Sequence, residues 1–144
     1  MLKKYLKFYS ISSVIIIGLI LLLFYKMEST YEAKHNSVIF KSLAQDFLYK
    51  KLNKDNLNFN QLDLRNKENI SITVDKNLLK IEVVNIDYRK CLKYGVDYID
   101  SNFTSILINN SLLTRRDSTF RDVILAKCDK NLNNIILSER LERK

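Results

Sequence analysis

The sequence from Phe8 to Tyr25 reads FYSISSVIIIGLILLLFY and contains no charged residue. As a helix these 18 residues would extend about 27 Å, close to the thickness of the hydrocarbon core of a bilayer. Tyr9 and Tyr25 lie near the two ends, where amphipathic rings favour the headgroup layer. The run is longer than the apolar core of a secretory signal, and no small-residue cleavage site follows it. This stretch, the apolar segment, therefore predicts an uncleaved membrane anchor.

Lysines flank the apolar segment unequally. Three precede it and only one follows closely: Lys3, Lys4, Lys7 and Lys26. Positive charge is retained on the cytoplasmic side of a membrane. We therefore predict that residues 1–26 form a cytoplasmic tip and a transmembrane anchor, and that residues 27–144 form an extracytoplasmic domain, the head.

Composition narrows the function classes. The 144 residues carry a net charge of +8, of which the four flanking lysines supply +4, so the head carries only +4 and nucleic acid is not expected as a partner. One histidine and two cysteines are too few for an ordinary zinc site, and no cofactor is expected. No Gly-rich phosphate loop is present, and we find no Ser/His/Asp set for nucleophilic catalysis. The chain is therefore expected not to be an enzyme.

Cys91 and Cys128 both fall in the head. In an oxidising compartment an even number of cysteines favours a disulfide, which here would close a loop of about 37 residues. Two buried free thiols remain the alternative and would suit the opposite topology. The spacing is far from the Cys-x-x-Cys pattern of redox sites.

The sequence predicts an α+β fold with a long amino-terminal helix, transmembrane and then amphipathic, packed on a small antiparallel sheet. The helix is predicted from about Tyr5 to Leu52, because residues 26–52 contain neither Gly nor Pro. Apolar residues recur at helical spacing along it. We expect Phe40, Leu43, Phe47 and Leu48 to contact the sheet near Ile72, Val74, Ile81 and Val83. A polar loop is predicted over residues 53–69.

Residues 70–140 are predicted to form the sheet and a carboxyl-terminal disulfide-bounded region. Alternating residues predict a hairpin with strands at 70–74 and 79–83, followed by a helix capped by Asp87. We expect Leu92, Val96, Ile99 and Phe103 on one apolar face of that helix. A strand at 105–108 ends in the turn pair Asn109-Asn110. A short helix, capped by Asp117 or Ser118 and carrying Phe120, Ile124 and Cys128, and a buried last strand at 134–138 follow.

Two further clusters carry charge. Asp97 and Asp100 share a helix with Tyr94 and Tyr98, and we interpret them as a solvated face opposite the apolar one rather than an acid/base pair. Three arginines could bind an anion or an acidic partner, although an exposed charged loop explains them equally well: Arg115, Arg116 and Arg121.

The order of these features resembles that of type IV pilins, in which a long half-buried helix precedes a loop, a sheet and a carboxyl-terminal disulfide loop. Residues 70–140 are closest to the type IVb branch, whose hairpin is similar to SITVDKNLLKIEVVNI. The match continues through CLKYGVDYIDSNF, from Cys91 to Phe103, and the strand that closes on Asn109. The second cysteine falls in AKCDKNLNN, before the terminal strand. The resemblance covers about half of the chain and implies a Cys91–Cys128 disulfide.

The amino terminus departs from this family. The apolar segment lacks the usual prepilin cleavage signal, since no Gly precedes it, and it lacks the family's acidic residue, which neutralises a neighbouring subunit during assembly. The resemblance therefore implies a minor pilin or pseudopilin rather than the repeating subunit. In place of the acidic residue, Ser12, Ser13 and Gly18 offer small surfaces for helix packing in the membrane.

We therefore expect a minor pilin-like or pseudopilin-like structural subunit of a type IVb pilus or a related secretion apparatus. Its expected partners are other pilin-like subunits, the assembly platform and membrane lipid. Its expected place is the bacterial inner membrane, as a single-pass protein with its head in the periplasm, or within a pilus. The alternative is a single-pass, membrane-anchored extracytoplasmic binding or regulatory module unrelated to pilus assembly, with the basic loop around Arg115 as its contact.

Overall fold

Helix α1 runs without interruption from Leu2 to Leu48. The computed structural model describes residues 2–99, 101, 103–114 and 120–141. The helix ends four residues earlier than predicted because Lys50 adopts a left-handed conformation with φ 58°. The N–H groups of the next residues then bond back to the last turn, including that of Lys51 to the carbonyl of Asp46 at 2.7 Å. A left-handed residue just beyond the last turn is a common way for a helix to end.

The remaining elements form a five-stranded antiparallel sheet and two helices. In chain order, after short 3-10 turns at Phe59–Gln61 and Lys67–Asn69, they are β1 (Ile70–Asp75), β2 (Leu78–Ile86), α2 (Tyr88–Ile99), β3 (Ser105–Ile108), β4 (Ser111–Thr114), α3 (Phe120–Lys127) and β5 (Asn133–Arg140). The α+β class, the long helix and the antiparallel sheet are confirmed. The caps proposed for α3 at Asp117 and Ser118 lie outside the described residues.

The sheet has the order β1-β2-β5-β3-β4, so the last strand of the chain lies at its centre. The predicted hairpin is confirmed, with Ile72 opposite Ile81 and Asp75 opposite Leu78. Strand β5 pairs with β2 on one side and with β3 on the other. Its alternate residues are buried, as expected for a central strand with one face on the core: Asn133, Ile135, Leu137 and Glu139.

Strand β4 was not predicted. It pairs with β3 through a tight hairpin at Asn109 and Asn110, which have φ values of 48° and 66°. Two consecutive left-handed residues match the twist of a two-residue hairpin, and Asn tolerates that conformation better than most residues. The predicted turn is therefore confirmed, and β4 is the strand that follows from it.

Helix α1 buries one face of its carboxyl-terminal half in the head. Ala33, Phe40, Ala44 and Phe47 are each at most 2% exposed. The helix packs mainly against α2 and only lightly against β2, and the Phe40 ring stacks on that of Tyr94 with centroids 5.8 Å apart. The expected contact with the sheet is thus largely a contact with α2.

Two residues of the expected contact are less buried than predicted. Leu48 is 38% exposed, because it is the last residue of α1 and lies at the edge of the buried face. Ile72 is only partly buried, whereas Val74, Ile81 and Val83 belong to the core. Phe40, Leu43 and Phe47 therefore lie in the same core as Val74, Ile81 and Val83, whereas Leu48 is outside it.

The buried face of α2 differs from the predicted one. Cys91, Tyr94, Gly95 and Tyr98 are buried, while Val96 and Ile99 are 40% and 43% exposed. The tyrosines bury more surface than the smaller side chains, and a hydroxyl can find a partner within the core. Gly95 also lies directly under Ile124, whose Cγ2 would be 2.6 Å from a Cβ at this position. The predicted apolar face is therefore wrong for Val96 and Ile99.

Two expectations around this helix need correction. Phe103 is buried but lies beyond the end of α2 at Ile99, not on its apolar face. Asp97, expected on a solvated face, is half-buried and forms an ion pair with Lys93, while Tyr94 and Tyr98 of the same helix are buried. Asp100 lies outside the described residues.

Truncation of the helix core tests this packing. We expect Phe47→Ala to lower the free energy of unfolding by about 3–5 kcal/mol, because it removes a buried ring and leaves a cavity. Tyr49→Ala is the control, since Tyr49 is 74% exposed only two residues further on. Chemical denaturation of the detergent-solubilised protein measures both, and equal midpoints for the two variants would show that α1 is a free stalk.

Candidate functional site

The disulfide expected between Cys91 and Cys128 is present, and no described cysteine is free. It joins the first turn of α2 to the residue that follows α3, two elements 37 residues apart. Both residues are buried, at 0% and 6% exposure. The bond therefore holds the two short helices together on the same side of the molecule as α1. A disulfide of this kind is typical of an oxidising compartment.

Asparagine side chains support the region around the disulfide. Asn133 is fully buried and donates to the carbonyls of Asp129 and Ile86, at 2.9 Å and 3.4 Å. Its Oδ1 accepts from the side chain of Asn109 at 2.8 Å. Asn109 also donates to the carbonyl of Lys127 at 3.0 Å, next to Cys128. These bonds fix the end of α3 to the sheet, since a buried amide is stable only when it is hydrogen-bonded.

A second buried cluster fixes α1 to the head. Asn36 is 0% exposed. Its Nδ2 donates to the carbonyl of Arg65 at 3.0 Å and to the hydroxyl of Tyr94 at 3.1 Å. Its Oδ1 accepts from the N–H of Arg65 at 2.9 Å. One side chain thus connects α1, the loop before β1 and α2.

Burial raises the pKa of Tyr94 well above its ordinary range, and the nearby carboxylates of Glu32 and Asp97 raise this pKa further. The hydrogen bond from Asn36 acts in the opposite direction but is the weaker effect. Tyr94 therefore stays neutral and acts as a structural partner, which is what its position between two helices requires. Glu32 also forms a 2.8 Å ion pair with Lys90, which adds a second polar connection between α1 and α2.

The segment at the amino terminus has the properties of a membrane-crossing helix. An 18-residue window within Ser13–Leu48 has a mean hydropathy of 1.7, and none of that window is buried. Its exposed apolar residues run from Val14 to Phe24. Within the described part of the chain this is the one helix long and apolar enough to cross a membrane.

The small residues proposed for helix packing do not share one side of α1. Successive residues of a helix are turned by about 100°, so Gly18 lies about 140° from Ser13. Gly18 lies on the side of the helix that carries Asn36 and faces the head, and nothing would touch a Cβ there within 4 Å. Ser13 lies on the opposite side and is exposed. The backbone of Ser12 belongs to α1, but its side chain is not among those that the structure describes.

Sequence reasoning missed the side of α1 that faces away from the head. Met27, Tyr31, Val38 and Tyr49 are 69%, 64%, 63% and 74% exposed. They are four, seven and eleven residues apart, and residues at these separations lie on the same side of a helix. Ser13 and Ile20 continue this line into the apolar segment. We call these six residues the outer stripe. The signal that could have revealed it is the 18-residue spacing from Ser13 to Tyr31 to Tyr49, about five helical turns.

The basic cluster proposed as a partner contact is not assembled by the described residues. Arg115 and Arg116 lie outside the described residues, and of Arg121 only the backbone, in the first turn of α3, is described. The loop around Arg115 therefore remains a prediction.

The chemistry available to the described residues is limited. Across residues 2–99, 101, 103–114 and 120–141 no group of three or more His, Cys, Asp and Glu side chains could hold a metal ion. His35 has a structural position, because its Nε2 lies 2.6 Å from the carbonyl oxygen of Asp63 and so donates to it. This bond connects α1 to the loop before β1.

Comparison with known proteins identifies no relative of this chain. The chain matches no protein-family model, and neither the curated proteins nor the solved structures include one that is significantly similar to it.

Loss of the disulfide should act through stability. Cys91→Ser/Cys128→Ser removes a cross-link that restricts the unfolded chain, and we expect it to lower the free energy of unfolding by about 3–4 kcal/mol. Protein abundance in membranes should fall with it. Alkylation of the wild-type protein without reductant should label neither thiol, and labelling of both in the folded protein would contradict the expected oxidising location.

The buried amide of α1 offers a second test. Asn36→Leu leaves the N–H and the carbonyl of Arg65 without their partner, so we expect a loss of about 1–3 kcal/mol. Gln45→Leu, at an exposed position of the same helix, is the matched control and should change stability little. Thermal or denaturant unfolding distinguishes the two, and equal stability of both variants would show that the Asn36 bonds contribute nothing.

Proposed function

We propose that this protein is a non-enzymatic, minor pilin-like or pseudopilin-like subunit of a type IVb pilus or a related secretion apparatus. It is held in the membrane by the apolar segment and joins other subunits through α1. The resemblance of residues 70–140 to type IVb pilins motivates the family, and the long helix, antiparallel sheet and disulfide follow in the order that such a subunit requires.

The outer stripe is the observation that carries the proposal. An inert stalk in water would present polar residues on its free side. Here α1 instead presents Met27, Tyr31, Val38 and Tyr49 on that side, in line with the apolar segment. Lys34 and Gln45 lie among them and are also exposed. This mixed composition suits a contact that forms on assembly, since the subunit must also be soluble at this surface before assembly.

The position of the outer stripe also suits lateral helix packing. It lies on the side of α1 opposite the buried Ala33, Phe40 and Phe47, so the head does not cover it. It begins at Ser13, where a small side chain allows a second helix to approach closely in lipid. A neighbouring helix could therefore follow α1 from the membrane to the far end of the head. Gly18, on the head side, has no place in this contact.

The absence of an acidic residue from the apolar segment supports one kind of subunit over another. A carboxylate in lipid is costly and persists where a partner satisfies it. Because this chain offers no such group, its neighbour contact depends on shape and apolar surface. That favours an initiating, tip or accessory position over repeated addition to a filament.

A charge in the outer stripe tests the proposal. We expect Val38→Glu to abolish cysteine crosslinks from Ser13→Cys to other pilin-like subunits in intact membranes, because it places a carboxylate in the helix contact. Gln61→Glu introduces the same charge at an exposed polar site outside α1 and should retain most crosslinks. Both changes should alter the stability of the head by less than about 0.5 kcal/mol.

The opposite outcome identifies the alternative. If Ser13→Cys crosslinks to no pilin-like partner, and deletion of the protein leaves pilus or secretion output unchanged, the protein is a membrane-anchored binding module instead.

A further inference from the structure

A cleft lies where the head meets the end of the apolar segment. Its volume is about 330 Å³, and three parts of the chain line it. They are the end of the apolar segment, the start of α2 and the loop after α3: Leu22, Tyr25, Lys26, Asp87, Tyr88, Arg89 and Lys130. The cleft is therefore a junction between the part of α1 suited to lipid and the folded head.

The position of the cleft relative to the membrane follows from α1. Leu22 and Tyr25 belong to the last turn of the apolar segment, and Tyr25 is 68% exposed. When this segment crosses a bilayer, its last turn lies at the boundary between acyl chains and headgroups. Tyr88 and Arg89 line the same cleft, so a tilt of α1 toward this side would bring the head into the headgroup layer. A tyrosine on each wall suits this layer, which aromatic side chains with a polar end prefer.

The charge of the cleft is positive. Lys26, Arg89 and Lys130 are exposed, and none of them forms an ion pair among the described residues. Asp87 is the single carboxylate on the walls. Its Oδ1 accepts from the N–H groups of Arg89 and Lys90, at 2.8 Å and 3.0 Å, as the cap of α2. The cleft thus has three cations around one carboxylate that is already engaged as a helix cap. This arrangement favours the binding of phosphate groups, which bind Arg and Lys through charge-assisted hydrogen bonds.

We propose that this cleft docks the head onto the anionic phospholipid headgroups of the membrane that holds α1. The proposal rests on the membrane anchor of the proposed function but requires no partner subunit. Docking on the head side of α1 would hold the helix at one angle to the membrane and leave the outer stripe facing along the membrane, where another subunit could reach it. The surface charge of the lipid would thus prepare the subunit for assembly.

The absence of tryptophan from the chain permits a direct test. Tyr88→Trp places a single indole in the cleft, and Tyr49→Trp places one about 36 Å beyond Tyr25 along α1, at the far end of the head. Full-length protein is reconstituted in vesicles of phosphatidylcholine, alone or mixed with phosphatidylglycerol, that carry a headgroup nitroxide quencher. We expect strong quenching for Tyr88→Trp in the anionic vesicles, and little for Tyr49→Trp in either.

Charge reversal provides the control for specificity. Arg89→Glu and Lys130→Glu should each lower the ratio of docked to undocked head about thirtyfold, because each change removes one basic group and adds one acidic group near an anionic surface. Lys54→Glu and Lys76→Glu change the same charge at exposed sites on a different cleft of the head and should have no effect. Leu132→Trp, at a 65% exposed position near Lys130, gives a second reporter if Tyr88→Trp perturbs folding.

Three outcomes would overturn the proposal. One is equal quenching in neutral and anionic vesicles, which would show that charge does not dock the head. Another is equal quenching of the two indoles, which would show that the head has no fixed orientation. The third is release by inorganic phosphate beyond that by chloride at the same ionic strength, which would identify a site for free anions. Because the vesicles hold no other subunit, failure here leaves the proposed helix packing to its own test.

Discussion

Burial of one face of α1 is the interaction on which the rest of the structure depends. Phe40 and Phe47 belong to the hydrophobic core that also contains residues of the sheet and α2, and the Phe40 ring stacks on Tyr94 of α2. The apolar segment of the same helix is long and apolar enough to cross a membrane, so the apolar segment and the rest of α1 follow different rules. The first is apolar all round, and the second is apolar inside with a mixed outer side. The buried bonds of Asn36 fix how the head is placed around it.

Much of the fold could be predicted because local patterns and long-range contacts agree. The alternation in β1 and β2, the cap at Asp87 and the Asn109-Asn110 turn each specify their structure locally. The central place of β5 could not be predicted, since antiparallel pairing with two strands far apart in sequence leaves no local pattern. The face of α2 was predicted wrongly because Val96 and Ile99 have the expected spacing, yet Tyr94 and Gly95 fit α1 and Ile124 better.

The candidate site was less predictable than the fold. Two cysteines in a domain expected to face outward were enough to predict the disulfide. The outer stripe was not recognised in the sequence because apolar residues on both sides of α1 make the hydropathy almost the same around the helix. The two sides can be told apart only once the burial of the inner side is known. Gly18 and Ser13 were grouped by size, although helical geometry separates them. The basic cleft combines Lys26, Arg89 and Lys130, which are brought together only by tertiary folding.

A cysteine scan of every position from 27 to 49 tests the central claim, that α1 packs along its outer stripe against other helices. Crosslinking in intact membranes should rise and fall with a period of about 3.6 residues, with maxima at the positions of Met27, Tyr31, Val38 and Tyr49. The disulfide leaves no other described thiol to react. Crosslinking that is uniform along the exposed positions, or that appears at none of them, would contradict the claim.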